Sequence, residues 1–172
     1  MPSLNKICSA KQEKTVADFM GWKVVSGSGS QQFAPGDINS YRFLLECKTH
    51  TDVQDTIVFY KKHWVKITEE ALSKHKLPAL VVDNGTQNVK HTWVMIPRRV
   101  IPEEDAFRLF NLVNTARTDS TVTFSHASAA DLFRLGHQDN HINFFPEWCN
   151  GEQVAIMPLA EFKRFYKDQF EG

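Results

Sequence analysis

The chain has 172 residues, enough for one domain to close a hydrophobic core without disulfides or a structural metal. Apolar residues make up 42% and charged residues 23%, which excludes an intrinsically disordered chain, and no apolar run approaches the ~20 residues that span a bilayer. Lys and Arg equal Asp and Glu at 20 each, so net charge taken alone argues against a polyanionic partner.

Ser9 and Gln12 have the spacing of a capping box, Val16, Ala17 and Met20 recur at helical spacing, and Gly21 is placed to stop a first helix. WKVV (22–25) reads as a strand running into the flexible, polar SGSGS (26–30). INSYRFLLECK (38–48) is the clearest strand, and TIVFY (56–60) adds a short extended piece. KKHWVKITEEALSKH (61–75) is an amphipathic helix whose Trp64, Ile67, Ala71 and Leu72 share a face, with Lys66, Glu69 and Glu70 elsewhere. LPALVVD (77–83) and HTWVMIP (91–97) read as buried strands.

In the second half, PEEDAFRLFNLVNTA (102–116) reads as a helix with acids at its start, where the dipole favours them. STVTFS (120–125) is a strand and SAADLFRLG (128–136) a short helix. HINFFPEW (141–148) and QVAIMP (153–158) can pair across the turn at Asn150-Gly151, and LAEFKRFYKDQF (159–170) is a terminal amphipathic helix. No repeat, low-complexity tract or linker divides the chain. The expected fold is α/β, a mixed central β-sheet flanked by helices, in a single domain over residues 1–172.

Charge is uneven along this order. Residues 1–100 hold 14 Lys and Arg against 9 Asp and Glu, while residues 101–172 hold 6 against 11. A basic half and an acidic half are one mark of nucleic-acid contact. Cys8, Cys47 and Cys149 are odd in number and widely spaced, and MPSLNKICSAKQEK lacks a signal-peptide core. Together these predict free thiols and a cytoplasmic location, with no membrane partner.

Chemistry concentrates at the end of the clearest strand. Residues two apart on a strand point the same way, so Glu46 and Lys48 project from one face while Leu45 and Cys47 turn into the core. Asp37 lies nine residues before Glu46, after a bend at Pro35-Gly36 that can bring the two acids together. Paired carboxylates repel unless a cation sits between them, and their oxygens suit Mg²⁺, with Mn²⁺ as an alternative. Such an ion holds a substrate phosphate and acidifies an attacking water, and Lys48 offsets the charge that builds on phosphorus. Taken singly, Asp37 also fits a turn cap and Glu46 with Lys48 a surface ion pair.

PGD (35–37), eight residues and then ECK (46–48) resemble the PD-(D/E)xK signature of restriction-endonuclease-like nucleases, with Gly36 inserted after Pro35. Position by position, Asp37 matches the first acid, Glu46 the second and Lys48 the lysine. Within that superfamily the chain is most similar to archaeal-type and phage Holliday junction resolvases. Glu13 resembles their additional helical acid, SGSGS their serine-bearing loop, and residues 61–82 the helix and strand that follow the motif. The resemblance covers about residues 9–83. It implies a catalytic core over about residues 9–100, an additional α+β region over about 101–172, and a homodimer that cuts four-way DNA junctions. Glu13, Asp37, Glu46 and Lys48 would then be catalytic, with Asp37 and Glu46 the metal ligands. Ser28, Ser30 and Lys66 would contact substrate, and, apart from the resemblance, the basic side chains Lys61, Lys62, Arg98 and Arg99 could contact phosphates as well as serve as solvated charge. A phage or other mobile-element origin, with action in the host cytoplasm, would suit this likeness. The alternatives are a restriction-like, nicking or repair endonuclease on duplex DNA, or a non-catalytic nucleic-acid-binding protein of the same fold.

Other features have plainer readings. SGSGS lacks the G-x-x-x-x-G-K-[ST] of a nucleotide phosphate loop. His137, Asp139 and His141 fit a polar turn better than a transition-metal site. Cys47 has strand parity that buries it, and the aromatics of FKRFYKDQF fit core packing or a dimer face.

Overall fold

The first helix, α1 (Leu4–Met20), starts earlier than the Ser9–Gln12 spacing predicts. Its N-cap is Ser3, whose extended backbone and hydroxyl, accepting from the Lys6 N–H, satisfy the first turn. Ser9 is an interior residue. Gln12, buried, donates its side-chain amide to the Lys48 carbonyl at 2.7 Å instead of closing a capping box. Gly21 ends the helix in the left-handed conformation, as expected. The computed structural model describes residues 1–25, 36–102, 116–127, 129–130, 143–145 and 153–171.

The stretch expected as one strand is two. β2 (Ile38–Asn39) and β3 (Phe43–Lys48) run antiparallel, with β1 (Lys23–Val24) paired outside β2. The reversal at 40–42 is local chemistry. The Ser40 hydroxyl accepts the Phe43 N–H at 2.9 Å, and the Ser40 N–H bonds back to the Phe43 carbonyl. A serine that satisfies nearby backbone in this way competes with a straight ladder and folds the chain back.

β4 (Thr56–Tyr60) leaves this sheet, and α2 (Lys61–Ser73) brings the chain back to β5 (Leu77–Asp83). β5 lies parallel to β3 over six residue pairs, as a crossover connection permits. β6 (Thr92–Pro97) follows antiparallel to β5. Further along come β7 (Ala116–Arg117), β8 (Thr121–Ser125), β9 (Asn143–Phe145) and β10 (Val154–Pro158). Among the described residues the central sheet has seven strands in the order β1-β2-β3-β5-β6-β10-β9, and a smaller sheet has the order β4-β8-β7. Both β9 and β10 thus join the main sheet, paired antiparallel as the sequence suggests. The chain is a mixed α/β protein with helices against its central sheet. The expected helices at 102–116 and 128–136 lie largely outside the described residues.

The central sheet separates two cores because β3 and β5 bury both faces. Phe43, Leu45, Cys47, Ala79 and Val81 turn toward α1 and the C-terminal helix α3 (Leu159–Tyr166), whose Phe162, Phe165 and Tyr166 pack there. Leu44, Leu80 and Val82 turn toward α2 and the smaller sheet. On α2, Trp64, Ile67 and Ala71 are buried at helical spacing, each large side chain stabilising by roughly 1.5–3 kcal/mol. Leu72, expected on that face, is 74% exposed because it falls at the helix edge, beyond the sheet contact. The terminal aromatics are core packing. Cys8 and Cys47 are free thiols, and Cys149, His137, Asp139 and His141 lie outside the described residues. Among the described residues no helix is long and apolar enough to cross a membrane.

Candidate active site

Strand alternation sends Glu46 and Lys48 to the α2 side of the sheet, away from Cys47. Glu46 is only 2% exposed, so an ionised carboxylate there requires compensation. Two lysines supply it. Lys48 Nζ lies 2.8 Å and Lys66 Nζ 3.0 Å from Glu46 Oε1. Burial alone would push the Glu46 carboxyl up, but the hydrogen bonds and charges of these lysines outweigh it and hold the carboxyl below its ordinary value. Burial likewise opposes the Lys66 charge, and Glu46, with Glu70 and Asp37, overcomes it and raises the Lys66 pKa.

Asp37 reaches the same place through the antiparallel pairing of β2 with β3, following the turn at Gly36. It directly precedes β2, its N–H donates to the Leu45 carbonyl at 2.7 Å, and its Oδ2 accepts the Cys47 N–H at 2.7 Å. The side chain therefore continues the β2–β3 ladder by one step and is held beside the residue that follows Glu46. Gly36 makes this possible. Its φ is +67°, and an added Cβ would meet Leu44 Cγ at 2.7 Å. Its N–H donates to Glu70 Oε2 at 2.8 Å, which ties Gly36 to α2.

Glu13 arrives from α1, fastened in place by its neighbour Gln12 on the Lys48 carbonyl. Its carboxyl is pushed up to about 7, first by burial and then by the negative charges of Asp37 and Glu46, with Lys48 pulling the other way. Three carboxyl groups from α1, the turn before β2, and β3 thus share one electrostatic neighbourhood. Cys47 lies within it, and burial together with Asp37, Glu13 and Glu46 raises its thiol pKa well above the usual range, so it is no thiolate nucleophile.

The site also holds two residues that sequence reasoning missed, His63 and Glu70, which with the expected Lys66 form one stripe of α2, at spacings of three and four, facing β3. Burial and the charges of Lys48 and Lys62 push the His63 imidazole down to about 4, so it is neutral at pH 7, and its Nδ1 is buried without a partner among the described residues. The same stripe links Lys66 to Glu70 Oε1 at 3.7 Å. Lys61 and Lys62 sit in the first turn of α2, outside the Glu46 cluster, with Lys62 Nζ over the Tyr60 ring. Ser28 and Ser30 lie outside the described residues.

Comparisons with models of protein families, with curated proteins and with solved structures found no match. The chemistry of the site therefore stands on its own residues. Among the described residues no three His, Cys, Asp or Glu side chains group as a ready ligand set. Two carboxylates are enough for Mg²⁺, which keeps several waters and takes substrate oxygens. Glu46 Oε2 fits such a role, being buried and without a hydrogen-bond partner among the described residues, and so does the crowding that keeps Glu13 protonated up to about pH 7. An added cation would relieve both.

Proposed function

We propose that this chain is a divalent-metal-dependent DNA endonuclease of restriction-endonuclease-like fold, working as a homodimer on four-way junctions. Support comes from one observation above all. Asp37, Glu46 and Lys48, the three residues matched to the PD-(D/E)xK signature, gather at one end of β3, and the Glu13 carboxyl feels the charge of each. The element order agrees with the resemblance: an acid-bearing helix, the PGD turn, an apolar strand ending in ECK, then α2 and a parallel β5.

Asp37 and Glu46 would hold the cation, Glu46 through Oε2, which is buried and without a hydrogen-bond partner among the described residues. When bound, Mg²⁺ would neutralise phosphoryl oxygens and acidify the attacking water. Lys48, anchored on Glu46 Oε1, presents its ammonium where charge grows on the phosphoryl oxygens as one P–O bond forms and another breaks. Lys66, with Lys48, keeps Glu46 ionised, and Glu70, accepting the Gly36 N–H, holds α2 against the residue before Asp37. Glu13, titrating near neutrality, provides a carboxylate able to take the proton of the attacking water. Symmetric incision of a junction requires two such sites at fixed separation, which a twofold dimer supplies.

The test compares an immobile four-way junction with its linear arms while Mg²⁺ is titrated. Metal-dependent cutting of the junction, lost in Asp37→Asn, is expected. Absence of cutting at every metal concentration, or wild-type cutting by Asp37→Asn, would overturn the proposal.

A further inference from the structure

At the other end of β3 from Lys48, the chain forms a cleft of about 610 Å³ whose lining contains no acidic residue. Arg42 precedes β3, Lys74, His75 and Lys76 form the turn between α2 and β5, and Arg99 closes one side. Tyr41 stands at the cleft with 84% of its surface exposed. Five basic side chains and an exposed ring thus line one concavity, and none of them belongs to the carboxylate site.

The cleft is built rather than incidental. Lys76 Nζ hydrogen-bonds the Asn39 side chain and the Ser40 carbonyl, pinning the α2 turn to the β2–β3 turn. The Leu77 N–H bonds the Arg42 carbonyl at 2.8 Å. The Arg42 guanidinium lies 5.3 Å from the Tyr41 ring centre and 5.5 Å from that of Phe170, so stacking fixes its plane. Among the described residues no carboxylate pairs with Arg42, Lys74 or His75. The His75 backbone is left-handed, with φ +56°, at the position after a helix where glycine is relaxed.

We infer that this cleft binds the backbone of a DNA strand about four nucleotides from the point of cutting, with Arg42 and Lys74 on phosphates and Tyr41 against a sugar or base. The spacing comes from β3. Arg42 lies four residues from Glu46, about 13 Å along a strand, and phosphates of one duplex strand advance about 3.4 Å each along the axis. An exposed aromatic ring beside Arg42 and Lys74 suits a polynucleotide, which offers both phosphates and π-faces. An acidic peptide would use the cations alone. Naming the occupant as DNA rests on the nuclease reading above.

The experiment measures affinity of the full chain for a duplex and a four-way junction in EDTA across a salt series, with cleavage followed separately in Mg²⁺. Tyr41→Ala/Arg42→Ala/Lys74→Ala should weaken binding at least about tenfold and lower the slope of log K against log salt by about 1.8, two phosphate contacts' worth. Arg42→Lys/Lys74→Arg should keep the slope, and equal thermal melting would show that both variants fold. An unchanged slope and affinity in the triple variant overturns the cleft whether or not wild type cuts. Competition at matched charge by inorganic phosphate or polyglutamate as effective as DNA overturns it too. Loss of binding in the triple variant, in a wild type that never cuts, keeps the cleft and sinks only the nuclease.

Discussion

The Asp37 carboxylate accepts the backbone N–H of Cys47 at 2.7 Å, so one side chain both completes a strand ladder and presents an acid beside Glu46. These duties separate by mutation. Asp37→Asn keeps a carbonyl oxygen for the Cys47 N–H, so it should melt near wild type yet lose metal-dependent cleavage. Asp37→Ala leaves that N–H without its partner and should lose a further 1–3 kcal/mol, roughly, in urea unfolding. Equal stability of the two variants would show that the bond contributes nothing.

Lys48 and Lys66 both meet Glu46 Oε1, and the carboxyl is held below its ordinary value as a result. A depressed carboxyl contributes stability above its unfolded pKa of 4.5 and loses it as the pH falls through the folded value. Lys48→Met/Lys66→Met should therefore destabilise by about 1–2 kcal/mol at pH 7, a modest figure because both ammonium groups are partly solvated. The gap to wild type should narrow steadily below pH 4.5. Urea titrations at several pH values measure it, and a gap independent of pH would mean that packing, not charge, is lost.

Glu13 has the opposite sign. Its carboxyl is raised from 4.5 to about 7, so the stability it contributes is complete below 4.5 and disappears as the pH rises through 7. Glu13→Gln should be more stable than wild type at pH 8, by on the order of 2 kcal/mol, and no different at pH 4. Mg²⁺ should raise the wild-type melting midpoint more than that of Glu13→Gln. Calorimetric scans with and without metal decide the matter.

Gly36 has no room for a methyl group, since a Cβ would lie 2.7 Å from Leu44 Cγ on a backbone with φ +67°. Gly36→Ala should cost about 1–3 kcal/mol in stability. It should also slow cleavage more than its melting shift accounts for, because the next residue is Asp37. Full activity in the folded variant would show that the PGD turn tolerates displacement.

Much of this site was legible from spacing. Alternation along 43–48 separates Glu46 and Lys48 from Leu45 and Cys47, and both cores respect it. Asp37 was harder to place, because its position depends on a hairpin turned by hydrogen bonds of Ser40, and alternation carries no mark of a local side-chain bond to backbone. Ser9 misled for a related reason: a Ser and a Gln three apart occur inside helices as well as at their starts. His63 was overlooked although its spacing to Lys66 and Glu70 was readable. Nothing in sequence tells which stripe of a helix faces a buried carboxylate until the sheet beneath it is known. The basic turn at 74–76 and Arg42 come together only through the parallel pairing of β3 with β5.

That pairing has one more consequence. Every second residue of β3 belongs to a different compartment, so sliding the strand by a single position against β5 would deliver a carboxylate into oil and a thiol among the lysines of α2 and β3. If the chain cuts DNA as proposed, cleavage regained after dilution from denaturant would count correctly threaded molecules and so gauge refolding yield.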